Sequence, residues 1–281
     1  MICAWQSLIE ILPLWMRPKI DRIGKNSLIE LRMRLNQPLI LKTITGNIII
    51  EQNVTREDMH FCINTASRYS PWLTDTAEEG YITAEGGHRI GLCGNASGAT
   101  GTITDISGIT SLCLRVARDF SGVSNKIPEK SGSVLILGRP GSGKTTLLRD
   151  LIRKRSQNGE CISVVDERRE IFPRVSGKFC FETGPNTDVL SGCKKTVGIE
   201  AVLRAMSPDT IAVDEITKKE DCNALVESCG CGVNILATIH AESKDDLLSK
   251  TLYRTLIENK LFDIVVLLSS DKTYTLERLT V

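Results

Sequence analysis

Leu137-Gly138-Arg139-Pro140-Gly141-Ser142-Gly143-Lys144-Thr145-Thr146 is the stretch around which the rest of the chain is read. A glycine, four variable residues and then Gly-Lys-Thr is the spacing of a phosphate-binding loop. The glycines let successive backbone N–H groups turn toward one anion at the positive end of a helix. Working outward, Ser133-Val134-Leu135-Ile136-Leu137 is a continuous apolar run of the kind buried in a parallel sheet, and Thr146 to Ile152 repeats its apolar residues at helical spacing. A strand over 133–138 and a helix over 144–157 are therefore expected on either side of the loop. Gly138, Arg139, Pro140, Gly141, Ser142, Gly143, Lys144, Thr145 and Thr146 form the expected nucleotide-binding set. Lys144 is expected to reach the terminal phosphates, and Thr145 to offer its hydroxyl to Mg2+, a cation that prefers hard oxygen ligands.

Downstream of the loop, strand and helix patterns alternate, which implies an α/β domain with a mostly parallel sheet covered on both faces. Strands are expected at 133–138, 161–166, 210–214 and 233–239, helices at 144–157, 198–206, 219–229 and 243–258. An antiparallel pair, 263–268 with 273–279, closes the sheet. Three of these strands end in chemistry. Thr210-Ile211-Ala212-Val213-Asp214-Glu215 ends in two carboxylates, expected to hold the metal (Asp214) and to orient or deprotonate an attacking water (Glu215). Val164-Val165-Asp166-Glu167-Arg168-Arg169-Glu170 is a second acidic strand end; it reads either as a second source of the catalytic carboxylate, with Glu167 the candidate, or as a solvated ion-pair cluster. Ala237-Thr238-Ile239-His240-Ala241 places a histidine where a γ-phosphate sensor would stand, although a lone histidine is more often a packing residue.

Upstream, about 130 residues are too many for an extension of the nucleotide domain and suit a separate α+β domain. Trp5, Leu8, Ile9 and Leu12 recur at helical spacing, either as a packing face or as a docking face for a membrane or partner. Leu28 to Leu35 alternates as a half-buried strand with Glu30, Arg32 and Arg34 on one face; Pro38-Leu39-Ile40-Leu41 and Asn47-Ile48-Ile49-Ile50 flank a turn at Thr45-Gly46. Thr55 and Asp58 have capping-box spacing for a helix to about Ser67, and a short helix is expected after Ser70-Pro71. Glycine-punctuated strands follow at 80–83 and 86–94, and a last strand at 112–118. Arg115 and Arg118 point to opposite faces of a continuous strand and share a ligand only if the strand ends between them. The composition of Phe120 to Ser131 is that of a linker, giving an N-terminal domain over 1–122, a linker over 123–132 and a nucleotide domain over 133–281.

Composition narrows the functional classes. Thirty-five basic against thirty-four acidic residues leave a net charge of +1, so no global field favours nucleic acid or an anionic membrane. The ten cysteines are scattered and fit reduced thiols; Cys222, Cys229 and Cys231 lack the spacing of a structural zinc site. No apolar run approaches a membrane span. Neither Asn125-Lys126-Ile127-Pro128 nor Thr217-Lys218-Lys219-Glu220 supplies the aspartate that reads guanine.

The order of these boxes, together with Leu203-Arg204-Ala205-Met206-Ser207-Pro208-Asp209 ahead of the acidic strand, resembles the type II/IV secretion ATPases. The first half, with Glu30-Leu31-Arg32-Met33-Arg34, Gly80-Tyr81-Ile82-Thr83 and Gly86-Gly87-His88-Arg89-Ile90-Gly91-Leu92-Cys93-Gly94, is similar to the sporulation stage III protein AA family of endospore-forming bacteria. The resemblance covers nearly the whole chain. It implies a RecA-like ATPase domain, ATP and Mg2+ as cofactors, and a homo-oligomer, a hexameric ring. It also implies a place in the mother-cell cytoplasm, at the face of a membrane-embedded complex that the ATPase energises. Secretion ATPases usually carry Gly-Glu where this chain has Asp214-Glu215, which leaves Glu215 and Glu167 both open as the catalytic base. Arg115 and Arg118 are the candidate arginine fingers, with Arg89 in a glycine-rich turn as a third. The competing functions are a P-loop DNA translocase, expected to be stimulated by DNA in a steeply salt-dependent way, and a small-molecule kinase, expected to turn over only with an acceptor.

Overall fold

A computed structural model describes residues 1–68, 80–97, 105–129 and 132–278. The helix expected after Ser70-Pro71 lies outside the described residues. The chain divides into two compact units, Met1–Asp119 with Pro173–Phe181, and Phe120–Phe172 with Glu182–Val281.

The first unit is built on an antiparallel sheet of β1 (Leu28–Arg34), β2 (Pro38–Thr43), β3 (Gly46–Asn53), β4 (Tyr81–Thr83), β5 (Arg89–Ser97) and β6 (Asp105–Arg115), in the order β3-β2-β1-β6-β5-β4. Alternation puts Leu31, Met33, Leu39, Leu41, Ile90, Leu112 and Leu114 on a buried face. Helices α1 (Trp5–Ile11), α2 (Arg17–Ile23) and α3 (Arg56–Ala66) add Leu8, Leu12, Ile20, Met59 and Cys62 to the same core. The apolar stripe at the N-terminus is thus a packing face. Thr55 and Asp58 form the expected capping box of α3. On the opposite sheet face Glu30 is nearly buried and pairs with Arg32 at 2.7 Å. A short hairpin of β9 (Arg174–Val175) and β10 (Lys178–Phe179) belongs to this unit although it is inserted far along the sequence.

The second unit has one seven-stranded sheet, in the order β11-β8-β12-β13-β7-β14-β15. The strands are β7 (Val134–Gly138), β8 (Ile162–Asp166), β11 (Thr187–Ser191), β12 (Thr210–Glu215), β13 (Asn234–Ile239), β14 (Ile264–Leu268) and β15 (Tyr274–Arg278). All pair in parallel except β15, which closes the sheet antiparallel to β14. β7, β8 and most of β12 are buried at every position, as strands covered on both faces must be. Helices α4 (Lys144–Gln157), α5 (Lys195–Met206) and α6 (Lys219–Gly230) match or extend the expected ones.

Three local expectations are corrected. The helix expected over 243–258 is broken into α7 (Lys244–Ser249), a 3-10 turn (Thr251–Tyr253) and α8 (Arg254–Glu258), because Lys250 adopts an extended conformation at the end of α7. β11 had no strand signal, since Thr187-Asp188-Val189-Leu190-Ser191 is half exposed at the sheet edge. The last strand of the first unit stops at Arg115 instead of continuing to residue 118. Residues 120–129, linker-like in composition, are fastened within the second unit: Gly122 and Ser124 donate backbone N–H groups to the Asp150 carboxylate, at 3.0 and 2.7 Å, and Ile127 is buried. No helix among the described residues is long and apolar enough to cross a membrane.

Candidate nucleotide site

In the sheet order, β8, β12, β13 and β7 are consecutive neighbours. Parallel pairing therefore lines up their C-terminal ends, and with them Glu167, Asp214–Glu215, His240 and the loop 138–145. This is the edge where α/β sheets bind ligands.

The loop itself has the geometry its glycines require. Gly141 and Gly143 take positive φ values of 76° and 107°, open to glycine and strained for other residues. A Cβ at Gly138 would stand 2.6 Å from Ser142 Oγ and 3.0 Å from the Leu268 carbonyl oxygen, so only glycine fits between loop and β14. Ser142 Oγ is buried and has no hydrogen-bond partner among the described residues, an orphan donor within the loop. Beside it a cavity of about 570 Å3 is lined by Arg139, Pro140, His240, Glu242, Asp246 and Lys250, within the range of small-molecule sites. The loop glycines, the orphan Ser142 hydroxyl and Lys144 fit a nucleotide phosphate, whereas Arg139 and Lys250 in the cavity wall are already paired with Glu242 and Asp246. Thr145, half-buried in the first turn of α4, is the hard oxygen donor of the loop that would hold its Mg2+; Asp214, the carboxylate expected beside it, is buried next to Lys195.

Lys144 is almost buried and points into the site. Its Nζ donates to the carbonyls of Gly138 (2.9 Å) and Arg139 (3.1 Å) and lies 2.6 Å from His240 Nδ1. Burial holds its pKa below the ordinary lysine value, against the pull of the Glu215 charge. His240 Nδ1 also lies 3.2 Å from the Gly138 carbonyl, but the shorter approach of an ammonium donor makes Nδ1 the acceptor. The other ring nitrogen, Nε2, is then the donor, 2.8 Å from Glu215 Oε2. Three expected residues thus form one hydrogen-bonded line from the phosphate loop to the acidic strand. Lys250 donates to the His240 carbonyl at 2.8 Å and holds the start of the next segment.

The two acidic strand ends divide their work in a way that the residue types did not disclose. Asp166 is a structural carboxylate: it accepts from the backbone N–H groups of Glu170, Ile171 and Phe172 at 2.8, 3.0 and 2.9 Å and shapes the loop after β8. Glu167 and Asp214 are both drawn to Lys195, at 2.7 and 2.8 Å. Burial pushes the Asp214 carboxyl up to about 6; Lys195 works against this and the charges of Asp166 and Glu170 add to it. Glu167 also resists burial, yet the hydrogen bond and charge of Lys195, with Lys218 and Arg168, keep it below the usual carboxylate value. Lys195 carries no signal of its own in the sequence: it precedes the helix expected over 198–206, where a lysine reads as a solvated charge, and only the structure starts α5 at this residue.

Arg115 and Arg118 both belong to the first unit. β6 ends at Arg115, so the condition for the two to share a face is met by the backbone. Their surroundings differ. The Arg115 side chain is 64% exposed, with Glu30 at 3.9 Å. Arg118 is tied down, donating from Nε to the Lys25 carbonyl at 2.9 Å and from Nη2 to the Leu28 carbonyl. Arg89 stacks on the Tyr81 ring, its guanidinium carbon 3.6 Å from the ring centre.

Comparison with known proteins settles the kinship. The family model described as "Sporulation stage III, protein AA" matches residues 6–276. The chain belongs to the sporulation stage III protein AA family. It is 33% identical over 279 residues to Stage III sporulation protein AA of Bacillus subtilis (strain 168), covering 94% of this chain and 91% of that protein. A more distant relative, Protein SEEDLING PLASTID DEVELOPMENT 1 of Arabidopsis thaliana, is 27% identical over 89% of this chain and 36% of its own length. Among solved structures, the Legionella pneumophila ATPase DotB superposes with a TM-score of 0.60 at 16% identity, covering 95% of this chain and 80% of that one. The pilus retraction motor PilT with bound ADP gives 0.61 at 16% identity over 89% of this chain and 76% of its own. The chain thus shares the fold of secretion and pilus ATPases, with a RecA-like P-loop domain and an antiparallel N-terminal sheet.

Proposed function

We propose that this chain is an ATPase that hydrolyses ATP to ADP and phosphate, and that it works as a homo-oligomeric, hexameric motor. In this reading it acts in the mother-cell cytoplasm and energises a membrane-embedded secretion-like complex during sporulation, reaching the membrane through its partners. The observation that carries the catalytic part is the line Lys144–His240–Glu215, which joins the phosphate loop to a carboxylate two strands away.

The loop N–H groups and Lys144 bind and orient the triphosphate; Lys144 exchanges its loop carbonyls for phosphate oxygens. Bound Mg2+ supplies charge neutralisation at the phosphates. Glu215 orients a water and takes its proton as the water oxygen bonds to the γ-phosphorus and the bridge to the β-phosphate breaks. His240, held between Lys144 and Glu215, links phosphate occupancy at the loop to the position of that carboxylate. Arg115, the more exposed of the two candidate arginines, supplies positive charge to the transition state from another subunit. The resemblance to DotB and PilT supports an ATPase over a kinase, and the near-zero net charge gives no support to a DNA translocase.

The test is phosphate release from ATP with no added acceptor, for the wild type and Lys144→Ala. The wild type is expected to release phosphate. Loss of the charge-assisted contacts at Lys144, about 1.5–3 kcal/mol, is expected to weaken ATP binding by about 10- to 100-fold. Product formation that requires an acceptor, or unchanged hydrolysis by Lys144→Ala, would overturn the reading.

A further inference from the structure

Lys195 has no place in the hydrolytic scheme above, yet it is one of the most enclosed charges in the second unit, 3% exposed at the first position of α5. It is lowered between two strands by a close approach. A Cβ on Gly198, one turn further along α5, would stand 2.5 Å from Val165 Cγ1 of β8 and 2.9 Å from Cys193 Sγ. Glycine at that position lets the helix lie against the strand. β8 and β12 are parallel neighbours with Val165 opposite Val213, so the residues that follow, toward Glu167 and Asp214, flank one gap. The ammonium of Lys195 fills it, hydrogen-bonded to Glu167 Oε2 at 2.7 Å and in ion contact with Asp214 Oδ1 at 2.8 Å, a buried oxygen with no hydrogen bond among the described residues.

This leaves Asp214 poorly suited to a metal ion. The residue is 5% exposed, and Mg2+ usually keeps several waters when a protein holds it. A divalent ion at Asp214 would have to evict an ammonium already inside the fold. Glu167 is different: its side chain is 27% exposed, and its second oxygen, Oε1, makes no hydrogen bond among the described residues.

We propose that Lys195 is a positioning residue that replaces a divalent cation at Asp214: it is the internal counter-ion of Asp214 and clamps Glu167 with Oε1 presented to the nucleotide edge. Asp214 is then a partner for the lysine and lies outside the metal's ligand set. The inference rests on the nucleotide-site reading, in which Glu167 at the end of the neighbouring strand would help Glu215 order the attacking water, whereas the pairing of Lys195 with Asp214 stands on its own.

The experiment is a double-mutant cycle on the full chain with Lys195→Met, Asp214→Asn and the two combined. Lys195→Met leaves a buried carboxylate without its cation and is expected to lower Tm by about 10 °C. Adding Asp214→Asn is expected to restore most of that loss, because the uncompensated charge is gone. The combined variant is also expected to bind a fluorescent ATP analogue with a half-saturating Mg2+ concentration within about twofold of the wild type. Its kcat is expected to fall about tenfold at unchanged KM, because Glu167 has lost its clamp. Lys195→Arg, which keeps the charge, is expected to recover part of that kcat. A combined variant as unstable as Lys195→Met alone would overturn the pairing. A tenfold rise in the Mg2+ requirement on Asp214→Asn would make Asp214 a metal ligand, and full kcat in the combined variant would remove the clamp. If the wild type binds no nucleotide, the nucleotide-site reading fails while the stability cycle still decides the pairing.

Discussion

Glu215 and His88 show how far single residues can be read. Glu215 sits at the end of a buried strand, bonded to a histidine that is itself bonded to the phosphate-loop lysine. Glu215→Gln keeps the shape and loses the proton acceptor, so ATP binding should persist while kcat falls by roughly 10²- to 10⁴-fold, as read by a nucleotide-binding titration beside phosphate release. If Glu167→Gln alone has that effect, the base lies on the other strand end. His88 is fully buried in the first unit, its Nδ1 accepting from the Ala117 N–H at 3.1 Å and its Nε2 donating to the Ala4 carbonyl at 2.9 Å. Burial holds its pKa below the ordinary value near 6.5, the hydrogen bond to Ala4 opposes this and the Arg118 charge adds to it. The unfolded chain therefore takes up a proton at His88 before the folded one does. The resulting stability is fully present above about pH 6.5 and is lost as pH falls toward the folded value. Asp214, pushed up to about 6, contributes with the opposite sign, its share being lost as pH rises through that value. The difference between wild type and His88→Gln isolates the histidine: urea midpoints measured from pH 7.5 to 5 should converge as the pH falls. Parallel curves would show that His88 does not titrate with folding.

Elements in this chain are held by buried acids as much as by apolar faces. Asp150 on α4 is 3% exposed and accepts from Gly122 N–H, Ser124 N–H and Ser124 Oγ–H, with Arg153 at 3.5 Å. It ties residues 120–129 to the helix that follows the phosphate loop. Asp150→Ala removes those acceptors from a closed site and is expected to cost about 2–4 kcal/mol, measured by urea unfolding with the m-value monitored. A change below about 0.5 kcal/mol would mean the segment is held by Ile127 and its neighbours alone. Asp166 does the same for the loop after β8, and Arg149 supports that loop by donating to the Ile171 carbonyl at 2.7 Å. The helices that were legible, α3 with its capping box and α4 with its apolar period, carry their signals within a few residues. The 3-10 break after α7 carries none: Lys250 leaves the helix where its ammonium reaches the His240 carbonyl and Asp246.

At the scale of the whole molecule, a nearly neutral chain keeps strong local charge. The outward sheet face of the first unit carries Arg32, Arg34, Lys42, Arg89 and Arg115 around the nearly buried Glu30. If Arg115 completes a neighbouring subunit's site, turnover per chain should rise with protein concentration. A mixture of Lys144→Ala, which keeps Arg115, with Arg115→Ala, which keeps the phosphate loop, should then recover activity that neither variant has alone. Recovery can be followed by phosphate release alongside sedimentation, and failure despite subunit exchange would rule out Arg115 as the shared group. Arg118→Ala should instead lower the stability of the first unit, because Arg118 caps the carbonyls of Lys25 and Leu28.

The sequence by itself determined the phosphate loop, the parallel sheet downstream of it and the order of the strand-end groups, because glycine spacing, apolar period and strand-end residue type are local properties. It also singled out Lys144 in the loop and Glu215 and His240 at strand ends, the three groups that the fold brings into one hydrogen-bonded line. The tertiary structure decided which acid meets which base. That Asp166 is spent on backbone N–H groups, that Lys195 joins Glu167 to Asp214, and that Pro173–Phe181 belongs with the first unit all depend on neighbours far away in the chain. A buried charge is defined by the partner folding brings to it, and no pattern along the chain encodes that partner.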